Sequence, residues 1–190
     1  MPRWEPDARK RLVTAALRLF SEQGYDRTTV AEIADSAGLT RSTFFRHFPD
    51  KREVLAAGQE TLARLFASGI AAAPEDATPL DAVEHGLGTA AAAMTPFNRE
   101  FGPRLQAVIA TSAELQERDQ LKHIGLAASM AEALRARGVP RVVAALAGDV
   151  GMLAFNEGYA EWVREENQED LAELLRSAMS RLRHAATELG

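Results

Sequence analysis

The stretch TTVAEIADSAGLTRSTFFRHFPDK, residues 28–51, allows few folds. Thr29 and Glu32 have capping-box spacing, in which a hydroxyl and a carboxylate satisfy each other's free backbone amides, so a helix starts at 29. Gly38 can take the positive φ that ends it. Thr40 is a good N-cap for a second short helix, which Pro49 stops near residue 47. Asp50 and Glu53 repeat the box, predicting a long helix over about 50–72. Two short helices joined by a glycine turn have helix-turn-helix spacing.

The side chains divide accordingly. Ile33, Ala34 and Ala37 face inward, Leu39 and Phe44 plug the angle between the helices, and Phe48 anchors the second to the core. Arg41, Ser42, Phe45 and Arg46 are left pointing outward. A major groove can use such a face, because arginine donates to guanine or phosphate and apolar surface meets the thymine methyl. Thr28, Thr29, Thr40, Thr43, His47 and Lys51 are candidates to hold phosphates around it.

A net charge of −5 argues against a nucleic-acid binder until it is divided. Residues 1–53 carry a net +2 and residues 54–190 a net −7, so a local basic face sits on an acidic chain. The absence of cysteine excludes disulfides, thiolate nucleophiles and thiolate metal sites, and makes a cytoplasmic setting the expectation. Residues 1–11 lack the apolar region of a signal peptide, and charges interrupt every apolar run before it could span a membrane. There is no Gly-rich phosphate loop, His-Glu-x-x-His or Gly-x-Ser-x-Gly. Asp81 and His85, at i and i+4, could share a metal but have no third ligand. No enzyme, cofactor or metal is expected.

Apolar residues elsewhere recur at helical spacing, and no alternating strand pattern appears. Further helices are expected over about 7–22, 79–94 (stopped near Pro96), 103–112, 115–137, 140–165 and 169–188. The fold class is all-α, with about nine helices.

Residues 25–55, YDRTTVAEIADSAGLTRSTFFRHFPDKREVL, resemble the DNA-binding domain of TetR-family transcriptional regulators. The Thr-Thr, the Ile-Ala and Ala-Gly pairs, the Ser-Thr-Phe-Phe-Arg-His-Phe block and the Asp-Lys-Arg-Glu opening all match in register. Phe45 departs from the family's usual tyrosine, and Arg41-Ser42 stand where operators are discriminated. The resemblance implies a three-helix helix-turn-helix domain over 1–53 and a helical bundle over 54–190 that dimerises and holds an effector. It implies a homodimeric repressor on a palindromic duplex operator, released by a small, largely apolar molecule. An activator, an effector-independent dimer, or a protein-interaction platform with incidental DNA contact are the alternatives.

Within the body, Ala147, Gly151, Ala154 and Gly158 form a small-residue stripe, and Leu171, Leu174, Leu175, Ala178, Met179 and Leu182 form an apolar face. Paired across a two-fold axis they would make a four-helix interface; packed within one subunit they would be core. Met152, Phe155 and Tyr159 form a second stripe with Trp162. Together with Met94, Phe97, Phe101, Met130, His85, His123 and Asn156 they suggest an apolar cavity with a few polar groups.

Overall fold

The computed structural model describes residues 8–188. Those residues form nine α-helices and no strand: α1 (Ala8–Gln23), α2 (Val30–Ser36), α3 (Arg41–His47), α4 (Gln59–Ala72), α5 (Pro79–Ala93), α6 (Pro96–Ile109), α7 (Ala113–Ala136), α8 (Arg141–Trp162) and α9 (Leu171–Glu188). They fall into two compact units. One is Met1–Ala57 with Glu100–Asp119; the other is Gly58–Arg99 with Gln120–Gly190.

The first unit is built on the two caps. The Thr29 hydroxyl accepts the Glu32 amide at 3.2 Å, and the Glu32 carboxylate accepts the Thr29 amide at 2.7 Å. Gly38, at φ 64°, turns the chain into α3. Its amide donates to Asp35 and that of Leu39 to Ala34, both at 2.9 Å, so the closing carbonyls of α2 are satisfied. Leu12, Ala16 and Phe20 of α1 bury against Ile33, Ala34, Phe44 and Phe48. Arg11 of α1 donates to the carbonyl oxygens of Ala37 and Gly38, and Arg18 donates to the Ser36 hydroxyl at 2.7 Å.

The helix expected from residue 50 starts only at Gln59. The Asp50 carboxylate does accept the Arg52 and Glu53 amides, at 2.7 and 3.1 Å. The return half of the box is missing, because the Glu53 carboxylate pairs with Arg118. Turns with i to i−3 bonds follow, and Gly58 at φ 100° precedes α4. Pro96 starts α6 where a stop was read: Asn98 Oδ1 accepts from both the Thr95 amide and hydroxyl, and a proline at the first helical position loses no bond.

The second unit is a bundle whose helices approach closely at glycines. A Cβ on Gly69 would lie 2.7 Å from the Gly86 Cα. One on Gly151 would meet Val83 and Met130, and one on Gly158 would lie 2.7 Å from Leu175. The small-residue stripe of α8 and the apolar face of α9 are therefore used within the subunit. Ala147, Gly151, Ala154, Gly158, Leu171, Leu174, Leu175, Ala178 and Met179 are buried there, with Leu182 packed at the edge. What α8 leaves uncovered is another stripe: Val142, Leu146 and Leu153, 65, 62 and 48% exposed.

Candidate nucleic-acid interface

Phe44 and Phe48 fix α3. Both are buried, their ring centroids 5.7 Å apart. A seven-residue helix with two anchors on one side must show its other side to solvent. Arg41, Ser42, Phe45 and Arg46 are all exposed. Phe45 is half exposed and meets Phe44 edge-on at 5.6 Å, which limits the freedom of its ring. Arg41 and Arg46 have no carboxylate partner among the described residues, so their charge is not cancelled locally.

The flanking residues are placed differently. Thr28 is 1% exposed, and its hydroxyl donates to the Gly24 carbonyl at 2.8 Å, so it braces the α1–α2 turn. Thr29 and Thr40 are exposed, but their hydroxyls cap α2 and α3; the Thr40 and Thr43 oxygens are 3.0 Å apart. Lys51 Nζ donates to the carbonyl oxygens of Tyr25, Thr28 and Asp26 at 2.8, 3.0 and 3.4 Å and lies 4.3 Å from the centre of the Tyr25 ring. An ammonium has three protons, and here all three have carbonyl acceptors. The His47 Nε2 atom is buried without a hydrogen-bond partner. Burial first, then the charges of Arg46 and Arg9, hold this imidazole below its ordinary pKa, favouring the neutral form.

Of the residues expected at a cavity, Met130, Met152 and Phe155 are buried in the second unit's core, with Met94 and Tyr159 packed against it. An aromatic ladder runs from Phe66 to Phe155, Tyr159 and Trp162, with centroid separations of 5.3, 5.7 and 5.7 Å. The Tyr159 hydroxyl donates to the Asn98 carbonyl at 2.8 Å, and burial pushes its pKa up to about 12. Phe97, His123 and Asn156 are half-buried outside that core, and Phe101 packs against the core of the first unit. His85 is exposed and lines a groove of about 650 Å³ between α5 and α9 with Asp81, Thr89 and Arg176. The Asp81 carboxylate is held by Thr78 and Arg183. No group of three potential metal ligands occurs among the described residues, and no described helix is long and apolar enough to cross a membrane.

A short solvent-facing helix, held by a buried aromatic pair and braced by α1, has the arrangement of a helix-turn-helix. Residues 12–57 match the model for bacterial regulatory proteins of the tetR family. Over 75 residues, 40% of this chain, the sequence is 37% identical to the HTH-type transcriptional regulator TcmR of Streptomyces glaucescens. That match covers 33% of TcmR, and the chain spans a third or less of the first curated relatives it matches. Two solved structures share the whole fold. A transcriptional regulator of the TetR/AcrR type from Aquifex aeolicus is 18% identical, with a TM-score of 0.57 over 94% of this chain and 99% of its own. SmeT, the repressor of the Stenotrophomonas maltophilia multidrug efflux pump SmeDEF, is 22% identical, with a TM-score of 0.53 over 93 and 89%. Residues 12–57 thus resemble the tetR-family model, and the full length takes the fold of these two structures. The matched relatives are named as regulators, not enzymes.

Proposed function

We propose that the protein is a homodimeric transcriptional repressor that reads a palindromic operator through α3 and is released by a small, largely apolar effector. The exposed Arg41-Ser42-Phe45-Arg46 face, rigidly backed by Phe44 and Phe48, carries this reading. Arg41 and Arg46 supply donors for base edges or phosphate, and the Phe45 ring supplies apolar surface for a thymine methyl. Two such helices related by a two-fold axis would enter successive major grooves about 34–36 Å apart. The exposed stripe of α8 supports a dimer, because three large apolar side chains in line on a helix are costly to leave in water. The aromatic and methionine packing of the second unit supports an apolar effector, and SmeT has been solved with triclosan bound. Such an effector would act by its differential affinity for two states of the protein.

The test is selection of genomic fragments by the purified protein at near-physiological salt. Enrichment of one palindromic site is expected, with Arg41→Ala or Phe45→Ala relaxing the preference at individual base pairs. Binding without preference by the intact dimer would sink the operator reading.

A further inference from the structure

Most arginines of the first unit are spoken for. Arg11 donates to carbonyls of the helix-turn-helix turn, Arg18 to Glu22 and Ser36, Arg27 to the Gln23 carbonyl, Arg52 to Asp50 and Glu114, and Arg118 to Glu53. Arg9, in the first turn of α1, differs. It is exposed and has no carboxylate partner among the described residues. Its guanidinium lies 5.2 Å from the centre of the Phe48 ring, next to the end of α3. The side chain is thus laid over an anchored aromatic face, although it belongs to another helix.

That placement has consequences. A guanidinium held over a ring by a cation–π contact keeps N–H donors for a ligand and gives up some of its side-chain freedom before one arrives. The last turn of α3 carries Arg46 and His47, and the positive charges of Arg46 and Arg9 both act on the His47 imidazole. Two guanidiniums with no carboxylate partner among the described residues, Arg46 and Arg9, thus act on the same imidazole. Like charges so arranged repel one another, and an anion supplied from outside relieves the repulsion. A planar donor fork matches the two oxygens of a phosphodiester.

We infer that Arg9 is a further DNA contact, gripping a backbone phosphate beside the one or two base pairs read by the end of α3, so that the DNA footprint extends onto α1. This rests on the operator-binding reading above. Arg9 carries no base information; it adds affinity and fixes the angle at which α3 lies in the groove.

The experiment compares wild type, Arg9→Met, Arg9→Lys and Arg18→Met for the salt dependence of binding, on a selected operator and on a random duplex. Methionine keeps an apolar stem over Phe48 and removes the charge, and a melting curve for each variant confirms folding. Each lost phosphate lowers the slope of log affinity against log salt by about 0.9, so Arg9→Met should flatten it by about 2 for a dimer on both duplexes. The preferred sequence should not change. Arg9→Lys should keep most of the slope, and Arg18→Met, whose guanidinium is already engaged, should keep all of it. A folded Arg9→Met protein with the wild-type slope overturns the assignment. Should the wild type select no site, the operator reading falls, and the slopes on random duplex still decide Arg9. Absence of all DNA binding overturns both.

Discussion

The ammonium of Lys51 lies 2.8 Å from the carbonyl oxygen of Tyr25, across 26 residues of chain. With its bonds to Thr28 and Asp26, it ties the turn before α2 to the segment after α3. Lysine at this place was expected to hold a phosphate. In the structure its protons go to backbone oxygens of the α1–α2 turn, so the side chain braces the helix-turn-helix. Lys51→Met should cost on the order of 2 kcal/mol, the scale of charged hydrogen bonds lost from a partly buried site. Its salt slope should match wild type once binding is corrected for the folded fraction. Denaturant titration and salt-dependent binding check this, and a flattened slope at unchanged stability would restore the phosphate role.

Gly69 and Gly86 let α4 and α5 approach until backbone meets backbone. A methyl group at Gly69 would sit 2.7 Å from both the Gly86 Cα and the His85 carbonyl oxygen, and neither can swing away as a side-chain end can. Gly69→Ala should therefore destabilise the second unit by about 1–3 kcal/mol, despite the better helix propensity of alanine. Gly88→Ala, on α5 with open space around it, should be neutral or slightly stabilising. Melting temperatures of the two variants provide the comparison, and an unchanged Gly69→Ala protein would refute the close crossing.

Legibility in the sequence followed the range of the interactions. Thr29–Glu32 and Thr40–Thr43 are local, so α2 and α3 could be placed to within a residue. The Asp50–Glu53 box failed because Glu53 is claimed by Arg118, 65 residues away. Pro96 was ambiguous because a proline both ends and begins helices, and only the Thr95–Asn98 cap decides. Spacing found the apolar stripes of α8 and α9 but could not say which surface each meets. Both expected interface stripes are interior, while Val142, Leu146 and Leu153 are exposed. Arg9 over Phe48 gave no signal at all, since nothing in a sequence links a first-turn arginine to a ring 39 residues on.

His47 makes the stability of the first unit sensitive to acid. Its pKa in the fold lies below the ordinary 6.5, chiefly through burial and then through Arg46 and Arg9. The unfolded chain therefore binds the proton more readily. The contribution is fully present above 6.5 and is lost as pH falls through the lower, folded value. Denaturation midpoints measured at about pH 7.5 and about pH 5.5 should fall further for wild type than for His47→Gln. Arg9→Met should reduce the gap, having removed one of the two charges. Equal acid sensitivity in wild type and His47→Gln would show that this imidazole does not contribute.

Leu146 and Leu153 are seven residues apart, two turns and about 10 Å along one line of α8. A two-fold axis crossing between them, near Asp149 and Val150, would set Leu146 of one subunit against Leu153 of its partner, and the reverse. The pattern is self-complementary only in that antiparallel sense. Leu146→Asp or Leu153→Asp should thus give a folded monomer, each substitution acting twice at the interface. Sedimentation should show the change in mass, and circular dichroism should show helix content retained. Gly158→Val acts on the opposite side of α8, where its Cβ would press within 2.7 Å of Leu175, so it should lower stability before it alters assembly. If Gly158→Val gives the stable monomer and the leucine variants remain dimers, the interface lies on the small-residue stripe and the packing of α8 against α9 must rearrange on assembly.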